Sequence, residues 1–273
     1  MASQVETHYT RPGSLAERIA DALHSIGNDT RQLHTVDLAP VDEFHIRGRK
    51  ATLELAARMQ IDKNSKVLDI GSGLGGPART VAEIYGCHVT GIDLTASFCE
   101  AATELSKWVG LADKVTFLKG DATNIPFADK SFDAAMTIHV AMNIQPKDVV
   151  YRHARRVVKS GGIFAVYDVL QGEGGAVLFP VPWARDPSIS HLATPNQMRR
   201  LLTDAGFEIL DEIDSTEEGL AWFREMTSRM AAAGPQPLTP EVMLGADFSQ
   251  MAQNQLRNLA DRRIRTVSYI CRA

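Results

Sequence analysis

From Lys66 onward the sequence alternates between short apolar stretches and amphipathic stretches, and this alternation constrains the fold most strongly. Apolar strands separated by helices favour a parallel sheet that is covered by helices on both faces. Helical patterns occur at about 77–85, 95–109 and 146–158. Strands are predicted at residues 66–70, 87–92, 115–119, 132–138, 162–168, 207–213 and 264–270. The sequence therefore predicts a doubly wound α/β domain.

Residues 1–60 precede the first predicted strand and are expected to form a helical extension that acts as a lid. The stretch 14–26 carries apolar side chains at helical spacing, and Ser14 is placed to cap it. A polar loop is predicted over 27–40. A second helix is predicted over 42–60, and four of its side chains are expected to face a core: Leu53, Leu55, Ala56 and Met59.

Residues 61–273 are expected to form the main domain, with insertions at 171–193 and 217–262. Open α/β sheets bind ligands outside the carboxyl ends of their strands, so both insertions are expected to complete a ligand pocket. Four aromatic side chains are candidates for an apolar wall: Phe179, Trp183, Trp222 and Phe223. Three arginines are candidates for pairing with a ligand carboxylate: Arg47, Arg49 and Arg185.

The segment VLDIGSGLGGPAR, residues 67–79, joins the first strand to a helix through a glycine-rich turn. Gly71, Gly73 and Gly75 allow the backbone to turn tightly and to approach a ligand without an intervening Cβ atom. The same pattern fits the dinucleotide-binding sequence GxGxxG. Asp93, at the end of the second strand, can accept hydrogen bonds from ribose hydroxyls, whether the ligand is a dinucleotide or another molecule that contains a nucleoside. The turn therefore predicts a ligand that contains a nucleoside.

Two further acidic residues favour a cationic nucleoside over a dinucleotide. Asp69 lies two residues before Gly71, where a carboxylate suits a ligand with ammonium and sulfonium charges. Asp121 ends the third strand in GDATNIPFADKSFD, where it can accept a hydrogen bond from an adenine amino group. These positions indicate S-adenosylmethionine.

The segments VLDIGSGLGGPAR, GIDLT, GDATNIPFADKSFD and VVKSGGIFAVYD resemble the successive motifs of class I S-adenosylmethionine-dependent methyltransferases over roughly residues 66–168. The small-molecule branch with sarcosine/dimethylglycine and ubiquinone-type methyltransferases is most similar. The resemblance implies a Rossmann-like, seven-stranded, mainly parallel sheet whose last strand is antiparallel, and it implies no metal. It also implies that these residues line the cofactor: Gly71, Gly73, Asp93, Leu94, Asp121, Ala122 and His139.

Two histidines are candidate catalytic residues. Methyl transfer from a sulfonium requires mainly alignment and exclusion of water, but an oxygen or carbon acceptor usually needs a base as well. His139 follows the fourth strand and is the first candidate, with packing beside the cofactor as the alternative. His45 is the second, with a solvated or capping position on a helix as the alternative. Asn143 is expected either to orient the acceptor or to cap a helix.

Composition and charge narrow the remaining function classes. The formal net charge of −4 argues against a nucleic-acid partner. No stretch approaches the roughly 18 apolar residues of a membrane span, and a cytoplasmic location is expected. The histidine and cysteine spacings predict no metal site.

We therefore expect an enzyme, monomeric or homodimeric, that transfers the methyl group of S-adenosylmethionine to a nitrogen, oxygen or carbon of a small-molecule acceptor and releases S-adenosylhomocysteine. Two alternatives stay open from the residues alone. One is a nicotinamide-dependent oxidoreductase that uses the same glycine-rich turn. The other is a non-catalytic sensor or partner subunit that binds S-adenosylmethionine.

Overall fold

A seven-stranded sheet forms the centre of the computed structural model, which describes residues 2–10, 13–233 and 237–273. The strands are β1 Lys66–Ile70, β2 His88–Asp93, β3 Val115–Lys119, β4 Phe132–Ile138, β5 Val158–Gln171, β6 Glu208–Asp214 and β7 Ile264–Arg272. They are ordered β3-β2-β1-β4-β5-β7-β6. Neighbours from β3 to β5 are parallel, whereas β7 is antiparallel to both β5 and β6. The predicted fold class is confirmed, including the antiparallel last strand.

The inner strands are rich in apolar residues because both faces of the sheet are buried there. Successive side chains of a strand point to opposite faces, and Val67 and Leu68 accordingly pack in different hydrophobic clusters. Helices α5 Gly76–Tyr85, α6 Ala96–Trp108 and α7 Lys147–Val157 connect the strands close to the predicted positions, and α8 Pro195–Asp204 precedes β6. This order of strands and helices brings the loops after β1, β2 and β4 to one edge of the sheet.

Four α-helices occupy the described part of the N-terminal 60 residues: α1 Ala2–Tyr9, α2 Leu15–Ser25, α3 Thr35–Asp42 and α4 Gly48–Ala56. The Ser14 side chain caps α2, as predicted. The loop predicted over 27–40 is wrong in part, because α3 begins within it at Thr35. The helix predicted over 42–60 is also wrong in part, because the chain turns at Arg47 with φ of 69°.

Buried hydrogen bonds explain this break between α3 and α4. The Glu43 carboxylate is buried and accepts hydrogen bonds from the hydroxyls of Thr52 and Thr80, which a continuous helix over this region would not allow. Leu53 is 38% exposed, so its predicted core position is wrong. Leu55, Ala56 and Met59 are buried, as expected.

The two insertions fold beside the carboxyl edge of the sheet. The loop that follows β5 contains a short antiparallel bridge between Val181 and Ala184 and a 3-10 turn at Pro187–Ile189. The second insertion contains α9 Thr216–Ala233, α10 Glu241–Leu244 and α11 Phe248–Ala260. Among the helices that the structure describes, none combines the length and hydropathy needed to cross a bilayer.

Candidate functional site

A cavity of about 740 Å³ lies at the carboxyl ends of β1, β2 and β4. One part of its wall, which we call the turn half, consists of lining residues within 69–74, 92–95 and 120–123. A second part of the wall, which we call the outer half, is formed by residues from separate elements: Val5, Tyr9, Phe44, His45, Met142, Asn143, Pro182, Trp183 and Gln255. The volume of the whole cavity falls within the range of small-molecule sites.

The glycine-rich turn is held by hydrogen bonds from its backbone. Gly71 N and Ser72 N donate to Ile92 O at 2.8 and 2.9 Å, and Gly73 N donates to Asp93 Oδ2 at 2.8 Å. Gly71 has φ of 78°, and a Cβ atom there would lie 2.4 Å from a methyl carbon of Val140. The turn therefore depends on a glycine at this position.

Asp93 fixes the turn and faces the cavity. Its other carboxylate oxygen, Oδ1, accepts a hydrogen bond from Thr95 N at 2.9 Å. Burial raises the pKa of Asp93, although the two backbone hydrogen bonds oppose this shift. Each carboxylate oxygen keeps a further lone pair that can accept a hydrogen bond from a ligand hydroxyl.

Asp69 is a buried carboxyl group without a full set of partners. Its side chain lines the cavity and is 1% exposed, and no described residue forms a hydrogen bond with Oδ2. Burial, together with the charges of Asp93 and Glu43, raises the pKa of Asp69 to about 8. A ligand ammonium would supply both a hydrogen-bond donor and the missing opposite charge, so the residues present fit S-adenosylmethionine at this end of the cavity.

The other predicted cofactor residues divide into two groups. Leu94, Asp121 and Ala122 line the turn half. Gly75 does not belong to the lining: it precedes α5 with φ of 77°, and a Cβ atom there would lie 2.4 Å from the Phe117 ring. The structure thus gives Gly75 a packing position, which corrects its predicted ligand contact.

The structure brings His139 and His45 together, with their ring centroids 5.8 Å apart. His139 has φ of 53°, and no hydrogen bond to its buried Nε2 atom is formed by the described residues. Burial and the neighbouring His45 lower the pKa of His139 well below its ordinary value. His139 is therefore neutral at neutral pH and has one ring nitrogen that can accept a proton.

The tautomer of His45 follows from its hydrogen bond. His45 Nε2 lies 2.9 Å from Gly48 O, which can only accept, so Nε2 carries the hydrogen and Nδ1 is left as the acceptor. Burial lowers the pKa of His45 to about 4. His45 lies between α3 and α4 and is 7% exposed, so its predicted alternative position, solvated on a helix, is wrong.

Asn143 holds parts of the outer half together. Its Nδ2 donates to Trp183 O at 2.7 Å and to Ile189 O at 2.8 Å, while Oδ1 accepts from the Tyr9 hydroxyl at 3.3 Å. Both ends of the amide are thus occupied by protein groups. These contacts differ from the predicted roles, which were acceptor orientation and helix capping.

Asp42 is a cavity residue that sequence reasoning missed. Its Oδ2 atom lies 2.6 Å from Arg79 Nη2, and both side chains are almost fully buried. Burial raises the pKa of Asp42 to about 6, although Arg79 opposes the shift. Tyr9, Phe44 and Gln255 were also missed, because no local motif relates residues that are this far apart in sequence.

Three candidate arginines and three candidate aromatics have other roles. Arg47, Arg49 and Arg185 form ion pairs with Glu54, Glu83 and Asp247, respectively, and are not among the cavity lining. Trp183 lines the cavity, as expected. Phe179, Trp222 and Phe223 instead pack around the cluster that contains Trp183.

Comparisons with known proteins agree with this geometry. Residues 68–166 match the family model described as "Methyltransferase domain". A sterol 24-C-methyltransferase of Gibberella zeae is 33% identical over 202 residues, which cover 66% of this chain and 50% of the relative. The chain spans about half the length of the curated relatives it matches.

Two solved structures extend the comparison to nearly the whole chain. The 4+2 cyclase SpnF is 25% identical with a TM-score of 0.67, covering 95% of this chain and 94% of its own. A geranyl diphosphate C-methyltransferase of Streptomyces coelicolor is 12% identical with a TM-score of 0.72, covering 99% and 97%; this second match shows the fold alone. Residues 68–166 therefore match a methyltransferase domain, and the similarities are to proteins named as methyltransferases and to the cyclase SpnF.

Proposed function

We propose that this protein transfers the methyl group of S-adenosylmethionine to a nitrogen, oxygen or carbon of a small molecule held in the outer half. The observation that carries this proposal is the continuity of one cavity from the turn half to the outer half. Donor and acceptor can therefore meet in one shared space, which favours an aligned displacement.

In this proposal the turn half holds the nucleoside. Asp93 accepts hydrogen bonds from the ribose hydroxyls, Asp69 pairs with the ammonium group, and Asp121 faces the adenine with Leu94 and Ala122. Gly71 and Gly73 allow close approach of the backbone. When bound, S-adenosylmethionine supplies a methyl group activated by the positive charge on sulfur.

His139 and His45 are the proposed catalytic residues. Both line the cavity and both are neutral at neutral pH, so each can accept a proton from an acceptor hydroxyl or carbon. Residues 1–60 and the two insertions form the proposed lid, since α1, the loop after β5 and α11 all contribute to the outer half. A cytoplasmic location, the absence of a nucleic-acid partner and a monomeric or dimeric state belong to the same proposal.

Two measurements test this function together. Titration calorimetry is expected to show binding of S-adenosylhomocysteine and no binding of NAD. Labelled S-adenosylmethionine, incubated with the protein and a metabolite extract, is expected to transfer its methyl group to a small molecule. Binding of NAD alone would favour the oxidoreductase alternative, whereas binding of S-adenosylhomocysteine without transfer to any extract would favour a non-catalytic role.

The similarity to SpnF favours a second candidate function. Over nearly the full length of both chains, 25% of residues are identical to a protein named as a 4+2 cyclase. In that case the outer half would fold an apolar substrate for ring closure, and S-adenosylmethionine would remain unconsumed. Mass spectrometry of the extract separates the two functions, because methyl transfer adds a methyl group and cyclisation leaves the mass unchanged.

A further inference from the structure

The charged side chains that line the cavity have one sign. Within the described ranges, no lysine or arginine belongs to the lining, whereas four carboxyl groups do: Asp42, Asp69, Asp93 and Asp121. Arg79 neutralises Asp42 from behind the wall. An anionic acceptor would therefore meet like charges and would find no cation to pair with its phosphate or carboxylate.

The outer half is apolar, and most of its polar atoms are already bonded. Val5, Phe44, Met142 and Pro182 contribute apolar surface. The Tyr9 hydroxyl donates to Asn143 Oδ1, and Asn143 Nδ2 donates to backbone carbonyl oxygens. Trp183 Nε1 donates to Ser190 Oγ at 3.0 Å. These groups are not available to recognise a strongly polar acceptor.

Gln255 differs from these polar residues. It lies on α11, lines the cavity and is only 7% exposed, yet its side-chain amide forms no hydrogen bond with any described residue. Its neighbours Asn254 and Asn258 donate to Pro180 O and Leu178 O, each at 2.9 Å, and so fix α11 against the loop after β5. The Gln255 amide is therefore free to donate a hydrogen bond to a ligand in the cavity and to accept one from it.

We infer that the acceptor is an uncharged, predominantly apolar molecule with a hydroxyl or carbonyl group that bonds to Gln255. This inference rests on the proposed function and specifies its substrate class. An amide both donates and accepts hydrogen bonds, so it matches a neutral hydroxyl or carbonyl better than a charged group. The expected acceptor thus differs from the diphosphate bound by the Streptomyces coelicolor relative.

The charge of the methylated product tests the substrate class. Labelled S-adenosylmethionine is incubated with the full chain and a metabolite extract, and the labelled products are separated by anion exchange and by extraction into organic solvent. We expect the label in the unretained, solvent-extractable fraction. Label retained on the anion exchanger, or label that is unretained but stays in the aqueous phase, would overturn the inference and leave the proposed function intact. Absence of any label would remove the proposed function and this inference with it.

Gln255→Leu tests the residue itself, with Gln253→Leu as the matched control because Gln253 is exposed on the same helix. We expect Gln255→Leu to lower kcat/KM for the labelled acceptor about tenfold, because a hydrogen bond to the acceptor is lost, with unchanged affinity for S-adenosylhomocysteine and an unchanged Tm. The control is expected to behave like the parent protein. A lowered Tm with unchanged kcat/KM would show that Gln255 is structural and would overturn its assignment.

Discussion

The turn half of the cavity is assembled from loops that each follow directly on a strand, whereas the outer half takes one or two side chains from each of several distant elements. The turn half contains buried carboxyl groups, and its shape is set by short-range hydrogen bonds such as Gly73 N to Asp93 Oδ2. The outer half is largely apolar, and Asn143 joins its parts over more than a hundred residues of sequence.

This difference separates cofactor binding from acceptor choice. A site formed by strand ends and tight turns changes little when the surrounding insertions change, because its geometry is local. In a site formed by insertions, the side chains come from separate elements, and each can be substituted without altering the others. We therefore expect substitutions in the two halves to affect different measurable quantities, and the following predictions, ordered by the size of the expected effect, test that separation.

The largest effect is expected at His139, which lies between the two halves. His139→Asn keeps a residue that tolerates positive φ and removes the imidazole, and turnover is expected to fall by about 10²–10⁴-fold if the acceptor reacts at a hydroxyl or carbon. Affinity for S-adenosylhomocysteine, measured by calorimetry, is expected to be unchanged. His45→Gln, assayed in parallel, shows whether the second imidazole shares this role. Full activity of His139→Asn would assign His139 to packing.

Asp42→Ala is expected to destabilise the fold, because Asp42 connects α3 to α5 through Arg79. Removing one partner of a buried ion pair leaves the other charge uncompensated, and the free energy of unfolding is expected to fall by about 3–5 kcal/mol in urea denaturation. Arg31→Ala, which breaks the exposed pair with Asp29 and keeps the Asp29 carboxylate as the cap of Thr30–Gln32, is the control and is expected to leave stability unchanged. Equal stability of both variants would contradict this account of the Asp42–Arg79 pair.

Asp93→Ala tests the turn half. Loss of hydrogen bonds to the ribose is expected to weaken S-adenosylhomocysteine binding by about 1–3 kcal/mol, measured by calorimetry on a variant whose folding is verified by circular dichroism. Asp204→Ala, at an exposed position at the end of α8, is the control. Unchanged affinity in folded Asp93→Ala would refute the proposed position of the ribose.

The smallest effect concerns the pH dependence produced by Asp69. Its pKa is raised to about 8 in the folded protein, above the ordinary value near 4 of an unfolded chain, so the folded state binds an extra proton between these pH values. Stability of the ligand-free protein therefore falls as pH rises through this window. Asp69→Asn is expected to reduce this slope in denaturation experiments from pH 5 to 8. If the free energy of unfolding changed equally with pH in the parent protein and in Asp69→Asn, the raised pKa of Asp69 would be contradicted.

Cofactor affinity is expected to change with pH in the opposite direction. An ammonium group beside Asp69 favours the ionised carboxylate, so binding releases a proton below about pH 8, and affinity rises by up to about tenfold per pH unit towards that value. Calorimetry with S-adenosylhomocysteine in two buffers of different ionisation enthalpy measures this proton release. We expect proton release on binding in the parent protein and a smaller proton release in Asp69→Asn.

The sequence predicted the sheet and the turn half well because both depend on local pattern. The stretch 66–70 contains Val67, Leu68 and Ile70 and is followed by a glycine-rich turn, and Gly71 and Asp93 lie at positions defined by the ends of β1 and β2. Gly75 shows a limit: its spacing fits a ligand-binding glycine, whereas its actual neighbour is the Phe117 ring from β3. Contact across the sheet cannot be read from spacing along the chain.

The outer half could not be predicted to the same extent. Gln255 lies in a helix with several other amides, and only the packing of α11 shows that Asn254 and Asn258 bond to backbone while Gln255 faces the cavity. The break between α3 and α4 was missed for a similar reason. The hydroxyls that bond to Glu43 come partly from α5, and local helix propensity contains no information about such a partner.

A crystal structure of the complex with S-adenosylhomocysteine tests the central claim most directly. We expect the ribose hydroxyls within hydrogen-bond distance of Asp93, the ammonium group beside Asp69, the adenine against Asp121, and an outer half that remains free for the acceptor. A nucleoside bound among Tyr9, Trp183 and Gln255, or a complex in which Asp93 points away from the ribose, would contradict it.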